Sequence, residues 1–378
     1  MNAWFFIDHP QQVLYAMGVK NIIDPLFSSI NLVVSRHGYW NDPTLKLFSR
    51  NFDSWLVLNK PQRPKFLNRE HIFIKFVIPL LKNKSILQGL PIKLTDVIFC
   101  FSGAYSYVEN MAISLFPGSK KILIKIKEDI SVNHQISAFN VVINLLEYLI
   151  GLHPTVSMPP GEKFPRFTAY KQDLSSIFQH VGFFENISQK IPPYVKDSLY
   201  FPQFSIPRSN KHQNKKIVVL FGQVQPGYEA TNPINIITAN KIISYLRHFY
   251  GGKFQLVYKP HPLEQKNFCK LNLTGFHVDH TPAEAFFQRE LNRLHTTFSF
   301  CSSVSAMAFN LGLPSYTFYP LIKLPRNVKK TYQLAFSGLP KRLFITTLDS
   351  PPPSYSIEKY ISRARQYNYI YLTQAIAN

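Results

Sequence analysis

The stretch Gln255–Tyr319 decides the fold. It reads QLVYKPHP at 255–262, HTPAEAFFQRELNRL at 280–294 and TTFSFCSSVSAMAFNLGLPSYTFY at 296–319. The first piece is an apolar strand that stops at Lys259-Pro260-His261-Pro262. The last is a strand ending in Ser302-Ser303, then an apolar helix that leaves through Gly312-Leu313-Pro314 into a further strand. Open α/β sheets bind ligands at strand ends of this kind, beside helix N-termini. One edge offers an imidazole and the next offers two hydroxyls. With the N–H groups of the helix after Ser302, they predict a phosphate-bearing ligand.

The same alternation continues outward in both directions. Upstream lie the strand Ile217–Phe221 (IVVLF), a Gly222-Gln223 turn and a helix over Ile236–Tyr250. Downstream, Phe344–Thr347 reads as a last strand before the proline run Pro351–Pro353, and Ser356–Ala377 has helical spacing. In the N-terminal half, Ala3–Ile7, Asn31–Ser35, Trp55–Leu58, Val97–Phe101 and Ile122–Ile126 are apolar runs of strand length. Helical patterns cover Gln11–Met17, the run through Val108, Met111 and Leu115, and Val141–Leu152, while Ile72–Leu81 fits either state. Strands alternating with helices imply parallel, doubly wound sheets. From His153 to Lys215 the text turns proline-rich and polar, as in a domain connection. The reading is therefore one Rossmann-like domain over 1–195, a linker over 196–215, a second Rossmann-like domain over 216–350 and a helical tail over 351–378. Two Rossmann-like domains facing a central cleft, with a returning terminal helix, is the α/β architecture called GT-B.

A chain of 378 residues has ample length for two cores. It carries 42 Lys+Arg against 21 Asp+Glu, a net charge of +21, which favours anionic partners. The basic residues are spread along the chain and no nucleic-acid motif is present, so nucleic acid is not the expected partner. Cys100, Cys269 and Cys301 form no CxxC and sit in or near apolar runs, as reduced thiols do in a reducing compartment. MNAWFFIDHPQQ lacks a basic n-region, and FNVVINLLEYLIGL is 14 residues with Glu147 inside it, too short to span a bilayer. A cytoplasmic protein is expected, with the inner membrane face as an anionic surface it fits. The terminal segment IEKYISRARQYNYIYL suits either an interfacial helix or one that packs back on the protein.

Tyr258-Lys259-Pro260-His261-Pro262 and Ser302-Ser303 resemble the HP and SS motifs of bacterial CMP-sialic acid-dependent sialyltransferases. A third motif of that family, two acids and a glycine after an N-terminal-domain strand, is matched in part. KILIKIK at 121–127 runs into Glu128-Asp129, with Ile130 in place of the glycine. The resemblance implies the GT-B fold and metal-independent, inverting transfer from CMP-sialic acid, with no cofactor besides that donor. It also implies that His261 stabilises the departing CMP phosphate and that Ser302 and Ser303 bind it. Asp129 would take the acceptor proton, beside Glu128. Asp8, Glu109 and Asp42 are fallback bases.

An acidic residue between the HP and SS motifs reads the cytidine in related enzymes, and Glu284 occupies that interval. Gly222 and Gln223 would let backbone N–H groups approach the donor. His9, in a second His-Pro dipeptide, would face the acceptor. The acceptor implied is a surface glycan such as capsule or lipooligosaccharide. GQVQP before YKPHP also resembles capsule Kdo transferases, which use CMP-Kdo, and teichoic acid polymerases share the HP and serine-rich ends. From another class, the charge fits a non-catalytic binder of membrane or nucleic acid. No GxxxxGK[ST], GxGxxG, DxD, GxSxG or metal-ligand cluster is present.

Overall fold

The computed structural model describes residues 1–36, 42–61, 70–101, 106–126, 135–136, 138–152, 156–157, 167–169, 180–185, 197–200, 216–223, 235–261, 264, 270–302, 304–326, 329, 332–333, 336 and 339–377. They divide into two compact units. The first takes Met1–Phe184, Ile191–Leu199 and Asn368–Asn378, and the second takes Glu185–Lys190 and Tyr200–Tyr367.

In the first unit the strands β1 (Asn2–Ile7), β2 (Ser29–Arg36), β3 (Ser54–Asn59), β4 (Val97–Cys100) and β5 (Lys120–Ile126) form the main sheet. A small antiparallel sheet follows, from β6 (Gln135–Ile136), β7 (Val156–Ser157) and β8 (Phe167–Ala169). The main sheet is completed by β9 (His180–Glu185) and β10 (Asp197–Tyr200), in the order β10-β9-β5-β4-β1-β2-β3. β1 runs parallel to both β2 and β4, as β5 does to β4 and β9. NAWFFI and VIFC are near-continuous apolar runs because helices cover both faces of a parallel sheet, and Phe5 stacks on Phe99 at 4.7 Å.

The second unit holds β11 (Ile217–Phe221), β12 (Gln255–Lys259), β13 (Phe276–Val278), β14 (Leu294–Ser299) and β15 (Ser315–Thr317), in the order β13-β12-β11-β14-β15, all parallel. Two Rossmann-like units are therefore present, as the alternation of elements required, and the chain has the α/β composition expected of GT-B.

Two readings are corrected, those of 153–215 and Phe344–Thr347, and two open ones are resolved, those of Ile72–Leu81 and the terminal helix. The stretch 153–215, expected as a connection, supplies β7 to β10, two of which extend the main sheet. Strands at or near a sheet edge need less continuous apolar sequence, so HVGFFE and DSLY were hidden among prolines. Ile72–Leu81 is helical: a π-helical turn, Glu70–Val77, passes into the α-helix Ile78–Gln88. The change of winding falls beside Pro79, which has no N–H to give and crowds the carbonyl four residues back. Phe344–Thr347 is not a strand. A 3₁₀ turn, Lys341–Leu343, leads into a single bridge between Thr317 and Phe344. The tail helix, Glu358–Ala377, buries Asn368, Tyr371, Leu372, Ala375 and Ile376 at helical spacing, and Lys120 Nζ donates to the Ile376 carbonyl at 2.7 Å. Those turns are a packed helix, not an interfacial one.

Buried Asp96 ties the start of the first sheet together, accepting from Asn2 N–H (2.8 Å), Lys93 N–H (3.1 Å) and Trp4 Nε1–H (3.3 Å). Asp96→Ala leaves these donors without an acceptor, so a loss of about 1–3 kcal/mol is expected in urea unfolding monitored by Trp fluorescence.

Candidate functional site

The strand order of the second unit fixes where a ligand can sit. β11 lies centrally, β12 and β13 are laid to one side, and the chain then crosses to place β14 and β15 on the other. Such a reversal opens a crevice at the C-terminal ends of the strands. Register aligns the three central ends, since Phe221 pairs with Lys259 on one side and with Ser299 on the other. Gly222-Gln223, Pro260-His261 and Phe300-Cys301-Ser302 therefore leave the sheet side by side.

The geometry is held by a residue the sequence reading did not single out. Glu264 is buried; its Oε1 accepts from Tyr258 Oη–H at 2.7 Å and its Oε2 from His261 N–H at 3.0 Å. Its own N–H donates to the His261 carbonyl at 2.8 Å. The carboxylate that reaches back to the N–H three residues upstream is one half of a capping box, and the returning bond here is backbone to backbone. A hydrogen bond from Gly222 N–H to the Lys259 carbonyl (2.9 Å) draws β11 against the same turn. A Cβ on Gly222 would fall 2.1 Å from Glu264 Oε2 and 2.5 Å from Tyr258 Oη, so only glycine fits.

His261 is half-buried, and burial pushes its imidazole below the usual range. At pH 7 the ring is therefore neutral and offers an N–H, not a full charge. Lys259, beside the strand end, is buried. Strand alternation turns it opposite Tyr258, toward the helix Ala283–Glu290, where Nζ lies 5.8 Å from the Phe286 ring. Its one hydrogen bond among the described residues, to the Asp279 carbonyl, is long at 3.4 Å. Burial pushes its pKa down from 10.5 to about 8, against the opposing pull of Asp279 and Glu284. Asp279 is itself engaged by Thr281 and by the Arg289 guanidinium, an arrangement that holds its carboxyl below the usual range despite burial. Glu284 stands in the first turn of that helix, and burial of its carboxyl pushes its pKa up although the residue as a whole is half-buried.

Across the crevice β14 ends at Ser299, short of the expected Ser302-Ser303 end, because Phe300 and Cys301 are buried without belonging to the ladder. Ser302 is half-buried and its Oγ accepts from Val304 N–H at 3.3 Å, capping the short helix Val304–Asn310. Capping uses a lone pair and leaves the hydroxyl proton to donate. Ser305 is structural, donating to the Tyr316 carbonyl at 2.8 Å. Gln223 is buried; its Nε2 donates to Tyr332 Oη, and its Oε1 has no hydrogen-bond partner among the described residues. Cys100 and Cys301 are free and buried, and burial raises both thiols.

The edge thus brings together Gly222, Gln223, Lys259, His261 and Ser302, with Glu284 on the helix that covers Lys259. Glu128, Asp129 and Ser303 lie outside the described residues, as do the surroundings of Cys269 and the side chain of Asp42. His9 is in the first unit and exposed. Gln12 Oε1 accepts from the N–H groups of Asp8 (2.8 Å) and His9 (3.0 Å), so this His-Pro pair starts the helix Pro10–Ile23. Asp8 stands at the end of β1, where the first sheet reverses its own order, paired with Lys60 at 3.2 Å. Glu109 is buried within the helix Tyr107–Leu115. Among the described residues no three His, Cys, Asp or Glu side chains are grouped to hold a metal.

No protein-family model matches the chain, and no curated protein matches it. Solved structures similar to it include S. aureus MnaA in a co-structure with UDP (TM-score 0.45, 9% identity, 98% of this chain and 97% of that one). SsfS6, a glycosyltransferase of Streptomyces sp. SF2575, gives TM-score 0.43 at 11% identity, covering 100% and 96%. MurG of Acinetobacter baumannii gives 0.41 at 9% identity, covering 100% and 95%.

Two outcomes test the site's physics. Gly222→Ala should cost about 1–3 kcal/mol of stability in denaturant titration, since neither Glu264 nor Tyr258 can withdraw without losing its partner. Lys259→Met should be more stable than wild type at pH 7, by on the order of 2–3 kcal/mol. Below about 8 the ammonium is charged in both folded and unfolded chains, and its burial counts fully against folding. Between 8 and 10.5 only the unfolded chain keeps the proton, so wild-type stability rises with pH and the gap closes. Urea unfolding of both proteins across that range measures it.

Proposed function

We propose that the chain is an inverting glycosyltransferase that takes sialic acid from CMP-sialic acid and passes it to a hydroxyl of a surface glycan. The observation that supports this best is the row of adjacent strand ends carrying Lys259, His261 and Ser302 around an obligatory glycine. A buried cation, a neutral imidazole N–H and a hydroxyl form a donor set suited to a phosphate, and Gly222 lets backbone approach it. The motif resemblance supplies the choice of CMP and of sialic acid.

In this reading the bond from the anomeric carbon to the phosphate oxygen breaks, with its electron pair leaving on CMP. His261 and Ser302 donate hydrogen bonds to that phosphate, and the Lys259 ammonium, no longer facing an empty interior, regains its ordinary basicity. The acceptor oxygen attacks from the opposite face and its proton passes to a carboxylate, for which Asp129 is the candidate and Asp8 the alternative. Glu284 accepts from the cytidine. No cofactor takes part.

Thermal unfolding with CMP, UDP and TDP, together with CMP release from CMP-sialic acid in the presence of mixed galactosides, tests the proposal. CMP should raise the midpoint most, release should depend on acceptor, and His261→Ala should lower it by on the order of 100-fold or more. Stabilisation by CMP without release moves the donor to CMP-Kdo. Stabilisation by UDP or TDP alone overturns the choice of nucleotide, and no response to any of them overturns the class.

A further inference from the structure

We propose that the outward face of the helical run Glu70–Gln88, with the end of the helix Ala138–Leu149 beside it, docks the protein on an anionic lipid bilayer. Phe76, Leu80, Asn83 and Leu87 form the inner face of the run and are buried in the first unit. The outer face of such a helix is ordinarily polar. Here it presents Phe73, Ile74 (60% exposed), Ile78 (56%) and Leu81. Their spacing puts them on one side of the run, which is continuous through Pro79.

The neighbouring helix extends the patch. Lys84 Nζ donates to the Ile150 carbonyl at 2.5 Å, holding the end of Ala138–Leu149 alongside, where Leu145, Tyr148 and Leu149 (71% exposed) also face outward. Two helices thus expose large apolar side chains together, in contrast to the single scattered ones that any surface carries.

The charges bordering the patch identify its occupant. Lys75, Lys82 and Lys84 flank the apolar stripe, and Glu70, the acid on the run, is paired with Lys75 at 3.0 Å. Apolar side chains rimmed by lysines suit acyl chains under anionic headgroups. The chain's net charge of +21 adds a long-range pull toward the same surface. Among the described residues no helix is long and apolar enough to cross a membrane, so the contact is one of surface insertion.

Sedimentation of the full chain with vesicles of equal parts phosphatidylglycerol and phosphatidylcholine, against phosphatidylcholine alone, tests the proposal. Wild type should bind the anionic vesicles. Ile74→Ser with Ile78→Ser, which leaves every charge in place, should weaken partitioning by on the order of tenfold or more, with an unchanged unfolding midpoint. Leu149→Gln probes the same surface from the second helix and should weaken it too, should the double variant prove unstable. Lys75→Gln with Lys82→Gln should lower affinity for anionic vesicles alone. Equal binding by wild type and both apolar variants overturns the proposal, as does failure of wild type to bind. So does a wild-type dimer in light scattering that the serine substitutions convert to monomer, because a second copy then owns the patch.

Discussion

The Glu264 carboxylate is the constraint on which the second unit's ligand edge depends. It is removed from water and must be satisfied by protein donors, and the donors it takes are Tyr258 Oη–H and the backbone N–H of His261. That pair joins Tyr258, inside β12, to His261, the second residue beyond the strand. The imidazole therefore leaves the sheet in one direction. Gly222 packs against the carboxylate from β11, so the clamp sets the spacing of two strand ends at once. A site built on such an edge is preorganised, because its backbone is already held by the buried Glu264 side chain.

The central strands were legible because two-sided burial writes itself as uninterrupted apolar text, as in IVVLF and NAWFFI. The same rule misled at FSFCSS. Phe300 and Cys301 are as buried as strand residues yet lie beyond the ladder, so the strand end was placed at Ser302-Ser303 instead of Ser299. β9 and β10 were lost for the opposite reason, being flanked by prolines and polar residues. Among site residues, His261, Gly222 and Ser302 could be placed from strand ends alone. Glu264 could not, since an acid outside any apolar period carries no mark of burial. Lys259 could not be assigned from sequence, because a lysine is usually surface material. Only its position opposite Tyr258, facing Phe286, makes it an interior residue.

The two lysine-rich features of the chain serve opposite electrostatic logics. Surface lysines sit in water, cost little, and act through their summed field. Lys259 sits inside, where an ammonium with a single long hydrogen bond among the described residues opposes folding. Residues of this type persist at binding sites because an incoming anion restores the solvation the interior denies them. Its neighbour Asp279 is committed to Thr281 and Arg289, which keeps a ready-made carboxylate partner from neutralising it.

The first compact unit is discontinuous along the chain. Asn368–Asn378 belongs to it, and Lys120 of β5 reaches the Ile376 carbonyl. The residues of the second unit, Tyr200–Tyr367, are translated in between. During synthesis the first sheet must therefore wait, with one of its flanks uncovered, until the whole second unit has emerged. The order of completion along the ribosome is the reverse of the order of the units in sequence: the second can close on its own residues, and the first is finished last.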